Sequence, residues 1–377
     1  MSVLARLREI RGEEFSFPEE GYHGEYIKDI AQWMHENHEG ELGRLSTEDE
    51  RISFAAKKAV EFNVSSQQRD LADFNVNFRT WFRESTLHEK GEVENTYIKL
   101  ENSNHIYTED NKKVFRSTQF GDDKDRVVVR DDGRPTYLMA DIAYHYNKIT
   151  RGYDRLIDIW GPDHHGYIAR LSGAVQALGF EKDKFKVLIS QQVNLIMDGE
   201  SVKMSKRLGN FSTMRELLDE IGVDVSRYFF IMRSLDSHLD FDLSLAKKNS
   251  SENPVFYLQY AHARICSIFR EAEKRGVVFN PSDFNIKYLD NKEGITLMKL
   301  MAKYPEEIID AAENFEPHKI PTFLMKLAQA YHRYYTEHRI LSNDKESTEA
   351  SLALCKAIVI VMKNGLKILG VSAPEVM

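Results

Sequence analysis

The chain has 377 residues, 42% of them hydrophobic and 29% charged, with a formal net charge of −8. That length allows two domains with substantial cores, and the acidic balance argues against a general nucleic-acid binder. No apolar run is long enough to span a bilayer, and Met1 to Gly12 mixes arginines and glutamates without the apolar centre of a secretory signal.

Ile27, Ile30, Ala31 and Met34 recur with a helical period between Gly24 and Asn37, and Phe54, Ala55, Ala59 and Phe62 do the same between Ser53 and Asn63. A polar linker separates them, and the charged string His35-Glu36-Asn37-His38-Glu39-Gly40 reads as surface. Residues 69 to 86 contain Leu71, Phe74, Phe78, Trp81 and Phe82, a spacing that predicts core aromatics. Leu87 to Leu100 reads as one further helix. The charge-dense stretch from about 60 to 125, with a turn at Glu109-Asp110-Asn111, reads as an insertion. A hairpin is expected next, Val127-Val128-Val129 against Thr136-Tyr137-Leu138 around Asp131-Asp132-Gly133.

Tyr137, Asp141, Tyr144 and His145 recur at intervals of three and four, so a helix would put them on one face. Leu156 to Trp160 is a short apolar strand ended by Gly161-Pro162 and followed by a helix from Tyr167 to Leu178; Val187 to Gln191 is a second strand. Ligands of doubly wound sheets bind beyond strand carboxyl ends and beside helix amino termini, and Asp163, His164 and His165 lie at such a junction. Either histidine could instead be a satisfied structural residue.

Gly199 and Gly209 bracket the basic segment Lys203-Met204-Ser205-Lys206-Arg207, which has no apolar period and reads as a loop. Thr213 and Glu216 form a capping-box pattern opening a helix from Met214 to Ile221. Lysines on such a loop could follow the charge of a triphosphate during reaction; an exposed basic turn is the plainer alternative. Beyond Asp242 four helices are predicted, Pro254 to Lys274, Ile295 to Tyr304, Ile320 to Arg339 and Ser347 to Leu369, which suggests a bundle. The short apolar run Ile358 to Met362 belongs to the last, as a buried helix. From Ser250 onward 16 basic residues balance 16 acidic ones, so any RNA contact there depends on a local basic face and stacking aromatics. Cys266 and Cys355 fall in predicted helices and fit unpaired thiols in a reducing cytoplasm. Without a Cys-x-x-Cys pair, and with no second ligand pair for His164-His165, no zinc site is expected.

Lys203-Met204-Ser205-Lys206 is identical to the second signature of class I aminoacyl-tRNA synthetases. Gly161 to Tyr167, Asp236 to Asp242 and Asn253 to Arg264, in that order, make the chain resemble the bacterial arginyl type, and Ala373 to Met377 resembles that family's carboxyl terminus. The first ATP signature, His-Ile-Gly-His, has no counterpart. Phe17 to Ile27 resembles a segment the family places downstream of it, so the chain looks like the carboxyl-terminal part of a longer enzyme, impaired or inactive alone.

The resemblance implies an α/β nucleotide-binding, Rossmann-like catalytic domain over 1–245, incomplete at its amino-terminal half. An all-α helical-bundle anticodon-binding domain follows over 246–377. The implied reaction is ATP-dependent activation of arginine and its transfer to arginine tRNA. Lys206 would stabilise transition-state charge and Lys203 would ground the loop on the phosphates, with Met204, Ser205 and His164 also at ATP. A guanidinium needs a fixed carboxylate that accepts two parallel hydrogen bonds; Asp141 is the candidate, and the resemblance adds Tyr137 and His164 around arginine. The alternative for Asp141 is a helix cap. For tRNA the implied contacts are Tyr257, Tyr260, Tyr334 and Tyr335 stacking on unpaired bases, Arg264 and Arg339 on phosphates, and Met377 near the anticodon loop; packing in the bundle is the alternative for the tyrosines. Magnesium is expected with ATP but no protein ligand is assigned, and a cytoplasmic monomer that binds neither DNA nor membrane is expected. Two other functions remain open: a tRNA-binding module that has lost catalysis, and a class I ligase for another amino acid such as cysteine or lysine.

Overall fold

Apolar periodicity governs the first helices. In the computed structural model, which describes residues 1–201 and 213–377, α1 (Ser2–Ile10), α2 (Tyr26–Leu42) and α3 (Glu48–Asp73) share a core of Leu4, Leu7, Ile27, Ile30, Ala31, Met34 and Ala55. The α2 residues in it are those picked out by the period. Thr47 and Glu50 close a reciprocal capping box that starts α3, which runs well past the expected end at Asn63. His35 and His38 lie on α2 and pair with Glu39 and Glu41, a surface role as expected.

The aromatic stretch that follows departs from expectation. Asn75 takes a positive φ of 59° and ends the helical path, so helical spacing no longer decides which rings turn inward. Phe74 packs on Phe230 and Phe82 on Tyr144, whereas Phe78 and Trp81 are 57% and 39% exposed and meet each other edge to face. The single helix expected from Leu87 is two, α4 (Ser85–Glu89) and α5 (Glu92–Asn102), because Gly91 adopts a left-handed φ of 66° between them.

An antiparallel sheet β1-β2-β3 comes next, built from β1 (Ile106–Glu109), β2 (Lys112–Phe115) and β3 (Arg126–Val129). Asp110 and Asn111, both left-handed, form the two-residue turn of its first hairpin. The second expected hairpin is reduced to one bridge, Val129 with Pro135. Thr136 then serves as the extended N-cap of α6 (Tyr137–Thr150), because Leu138, Met139, Ala140, Ile142 and Ala143 bury a helical face that outweighs the strand-like Thr-Tyr-Leu.

The chain then lays β4 (Leu156–Trp160) parallel to β5 (Phe185–Ile189), with α7 (Ile168–Ala177) between them. Leu156 and Asp158 face α6 and the core; Ile157 and Ile159 are exposed. Next come β6 (Val193–Met197) and β7 (Glu200–Ser201), joined by left-handed Asp198 and Gly199. After α8 (Met214–Ile221) and α9 (Val223–Ile231), β8 (Leu239–Asp242) returns parallel to β6. The expected capping box of Thr213 and Glu216 opens α8.

A short α10 (Leu243–Ala246) leads to the bundle α11 (Pro254–Lys274), α12 (Lys292–Asn314), α13 (Lys319–Glu337) and α14 (Lys345–Leu369). Side chains of Asn253, Asn291 and Asp344 cap α11, α12 and α14. The apolar core of the bundle is continuous with Leu195, Phe229 and Phe241 of the preceding strands and helix. Cys355 is buried, Cys266 is partly buried, and neither is in a disulfide. Among the described residues no helix is long and apolar enough to cross a membrane.

Candidate active site and nucleic-acid interface

Two places gather the polar groups singled out in the sequence. The first lies where α6 passes the carboxyl end of β4. Asp141 sits in the second turn of α6, and Tyr167, at the end of the single-turn helix that follows Gly161, donates its hydroxyl to Asp141 Oδ2 at 2.8 Å. Burial, the Asp141 charge and this hydrogen bond all push the Tyr167 phenol well above its ordinary range, so it remains a donor. Among the described residues nothing else donates to the Asp141 carboxylate. It caps no helix: the N-cap of α6 is Thr136. Tyr137, one turn earlier, is 80% exposed. A carboxylate with one oxygen oriented by a phenol and the other open can accept a planar cationic donor.

His164 and His165 are both exposed, and of the two it is His164 whose ring stands against Trp160, 6.3 Å between centroids. Trp160 also meets Tyr167 edge-on at 5.9 Å. The predicted common face of α6 divides: Asp141 reaches the open side, Tyr144 packs under Phe82, and His145 turns inward, 4% exposed. Lys203, Met204, Ser205 and Lys206 lie outside the described residues. They are flanked by β7 on one side and α8 on the other, with Arg215 of α8 bound to Asp70 of α3 at 2.8 Å and to Asp73.

The second place is a cavity of 860 Å³ along α11 and the end of α13, which brings together Tyr260, Arg264, Tyr335, Arg339 and Met377. The Arg264 guanidinium lies over the ring of Tyr335, 3.9 Å from its centroid, and 5.6 Å from that of Tyr260. The carboxyl-terminal tail reaches this cavity because His262 Nδ1–H donates to the Pro374 carbonyl at 2.8 Å and Arg270 to that of Glu375 at 3.0 Å. The sequence placed Tyr257 and Tyr334 with this group, and the structure does not. Tyr334 is 1% exposed and hydrogen-bonded to Ser351, so it is a packing residue. Tyr257 is partly buried against His332, 4.8 Å between rings.

The fold of both places has relatives. A family model described as "tRNA synthetases class I (R), catalytic domain" matches residues 25–231, and one described as "DALR anticodon binding domain" matches 258–377. The arginine–tRNA ligase of Leptospira interrogans is 48% identical over 408 residues, covering 100% of this chain and 68% of that protein. A solved Campylobacter jejuni structure carrying the arginyl-tRNA synthetase name superposes with a TM-score of 0.86 at 33% identity, over 100% of this chain and 81% of that one. The chain belongs to the arginyl-tRNA synthetase family. The Thermus thermophilus arginyl-tRNA synthetase, at 18% identity, shares the fold with a TM-score of 0.74 over 100% of this chain and 78% of its own.

Within this member of the family, sequence reasoning missed several residues that line or support the two places. Tyr167 carried a signal, a tyrosine closing the Gly161 to Tyr167 motif. Arg270, Arg275 and His338 line the bundle cavity; Arg270 follows Arg264 by six residues and Arg275, the C-cap of α11, by eleven, neither of them the three- or four-residue interval that marks neighbours on one helical face, so that interval did not point to them. Asp158 could not, because a strand pattern does not say which polar residue is buried.

Proposed function

We infer that this chain is an arginine–tRNA ligase, using ATP to activate arginine and transferring it to arginine tRNA. The observation that carries the reading is the Asp141–Tyr167 pair at the end of β4, set in a chain that matches arginine–tRNA ligases along its whole length. In this reading the free oxygen of Asp141 receives the arginine guanidinium, Tyr137 covers it, and His164 lies between the amino acid and the adenylate.

The arginine carboxylate attacks the α-phosphorus of ATP; the bond to the bridging oxygen breaks, and pyrophosphate leaves. Charge grows on the phosphate oxygens, and Lys206, with Lys203, Met204 and Ser205 shaping the loop, stabilises it. A ribose hydroxyl of the tRNA then attacks the mixed anhydride, a step that needs positioning more than any side-chain nucleophile. Magnesium accompanies the triphosphate. Magnesium keeps several waters and takes substrate phosphates as ligands, so in this proposal ATP and water hold it and no protein ligand is assigned.

Catalysis is assigned to residues 1–245 and anticodon recognition to 246–377. There Tyr260 and Tyr335 offer ring faces to unpaired bases, Arg264 and Arg339 contact phosphate or base, and Met377 borders the loop. A cytoplasmic monomer acting on a small amino acid and one class of tRNA completes the proposal.

The test is attachment of radiolabelled arginine to arginine tRNA by the purified chain with ATP and magnesium, beside a Lys206→Ala control and lysine as competing substrate. Arginine-specific charging that is lost in the control supports the ligase. Tight tRNA binding without any charging, even when the upstream half carried by the longer relatives is supplied in trans, replaces it with a tRNA-binding module, and charging with lysine replaces it with a different amino-acid specificity.

A further inference from the structure

The inner face of β4 carries a carboxylate where an apolar side chain would be expected. Asp158 is 8% exposed between Leu156 and Trp160 and grips α6 twice. Its Oδ2 lies 2.7 Å from His145 Nε2 and its Oδ1 accepts from Lys148 Nζ at 2.7 Å, with Lys148 Nζ 3.2 Å from the same imidazole nitrogen. The other imidazole nitrogen, Nδ1, faces only the backbone carbonyl of Asp141 at 2.8 Å; a carbonyl cannot donate, so Nδ1 carries the hydrogen. His145 is held further by edge-on contact with Phe185, 5.5 Å between rings, and Lys148 lies over the ring of Tyr144 at 4.6 Å.

Buried ion pairs are costly to form and are often matched in stability by apolar residues of the same volume. What they add is register. Asp158 holds two residues three apart on α6, which fixes the rotation of that helix as well as its distance from the strand. The helix carries Asp141, bonded through its own carbonyl to His145; the strand runs on into Gly161 to Tyr167, whose last residue donates to the Asp141 carboxylate. Both walls of the pocket therefore take their position from one buried carboxylate.

We propose that Asp158, His145 and Lys148 are positioning residues that set Asp141 at the angle a planar guanidinium requires, and that this setting, more than the charge of Asp141 itself, separates arginine from lysine. The proposal rests on the reading that Asp141 receives the arginine side chain. A planar fork is sensitive to the orientation of the carboxylate, whereas an ammonium on a flexible stem is not. Loosening the cluster therefore weakens arginine while leaving the weaker affinity for lysine in place.

The experiment is calorimetric titration of the whole chain with arginine and with lysine, for the unaltered protein, Asp141→Ala, Asp158→Asn and Asp158→Leu, each with its melting temperature. Asp158→Asn keeps the volume of the site without its charge, and Asp158→Leu replaces the carboxylate with a bulkier apolar side chain that makes no hydrogen bonds. We expect both Asp158 variants to weaken arginine about ten- to a hundredfold, as small misplacements of a bound group do, with lysine within about twofold and with the loss persisting in whichever variant melts at or above the unaltered temperature. Arginine affinity and arginine-to-lysine ratio unchanged in a folded Asp158 variant, while Asp141→Ala loses arginine, overturns the positioning role alone. So does a loss of arginine affinity that scales with melting temperature and vanishes in a stable Asp158→Leu. Unchanged arginine binding in Asp141→Ala, or no arginine binding by the unaltered chain, overturns the reading of the pocket and the positioning role together.

Discussion

At the end of β4 a recognition group is held from behind, with Asp141 bonded to Tyr167 in front and tied through His145 to a buried ionic cluster. In the helical bundle the corresponding groups are held from the side, with Arg264 lying on Tyr335 and flanked by Tyr260 on an open cavity wall. The difference follows from the ligands proposed for each. A small cation with one planar fork rewards a fixed carboxylate and penalises any slack in its setting. A flexible RNA loop rewards ring faces and delocalised charge that tolerate small shifts, and most of its affinity comes from phosphates and stacking. Rigidity is concentrated where the ligand is small.

That contrast can be broken or sharpened by substitution, starting with the largest effect. Lys206→Ala should slow arginine activation by about 10²- to 10³-fold, as loss of one transition-state donor does, with arginine affinity unchanged by calorimetry; a wild-type activation rate reduces the loop to an exposed basic turn. Arg264→Ala should weaken tRNA by about 1.5–3 kcal/mol, the usual value of a lost hydrogen bond to a charged group, read by filter binding, while arginine affinity stays the same. Tyr334→Phe should cost about 1 kcal/mol of stability for its hydrogen bond to Ser351 and leave tRNA affinity untouched; a tRNA defect there would return Tyr334 to the interface.

A pH series sharpens the catalytic side. Burial pushes the Asp158 carboxyl up, but His145 and Lys148 outweigh it and hold it below its ordinary value of 3.8. A carboxylate depressed in the folded state contributes stability that is complete above its unfolded value and lost as pH falls through the folded one. The melting-temperature advantage of the unaltered chain over Asp158→Asn should therefore hold above pH 3.8 and shrink below it.

Much of this was legible in the sequence because local chemistry and final structure agree. Thr213 with Glu216, the strand at Leu156 to Trp160, and the helix opening at Pro254 form as read. The left-handed turn at Asp110-Asn111 was noted and that at Asp198-Gly199 was not, Gly199 having been read only as an edge of the basic loop; the short strands these turns join carry little alternation to find. Phe78 and Trp81 were misplaced because helical spacing was extended past Asn75, where the helix stops. At the sites, Asp141 was found by the demands of its proposed ligand. Of the five cavity residues of the bundle, Tyr260, Arg264, Tyr335 and Arg339 were chosen by residue type within the domain the resemblance implies, and Met377 by the resemblance alone; choosing by type also swept in Tyr257 and Tyr334, since residue type cannot tell the inner from the outer side of a helix. Asp158 escaped because its partners come from another element, and only the packing of α6 on β4 brings them within reach.

The most direct test of the contrast is one titration pair on a single preparation of Asp141→Ala, arginine by calorimetry and arginine tRNA by filter binding. The account predicts arginine affinity reduced by at least about thirtyfold, for loss of a charged hydrogen-bond partner worth about 2–5 kcal/mol, with tRNA affinity at the level of the unaltered chain. Arginine bound as tightly as before would contradict it, and would move the amino-acid site away from the end of β4.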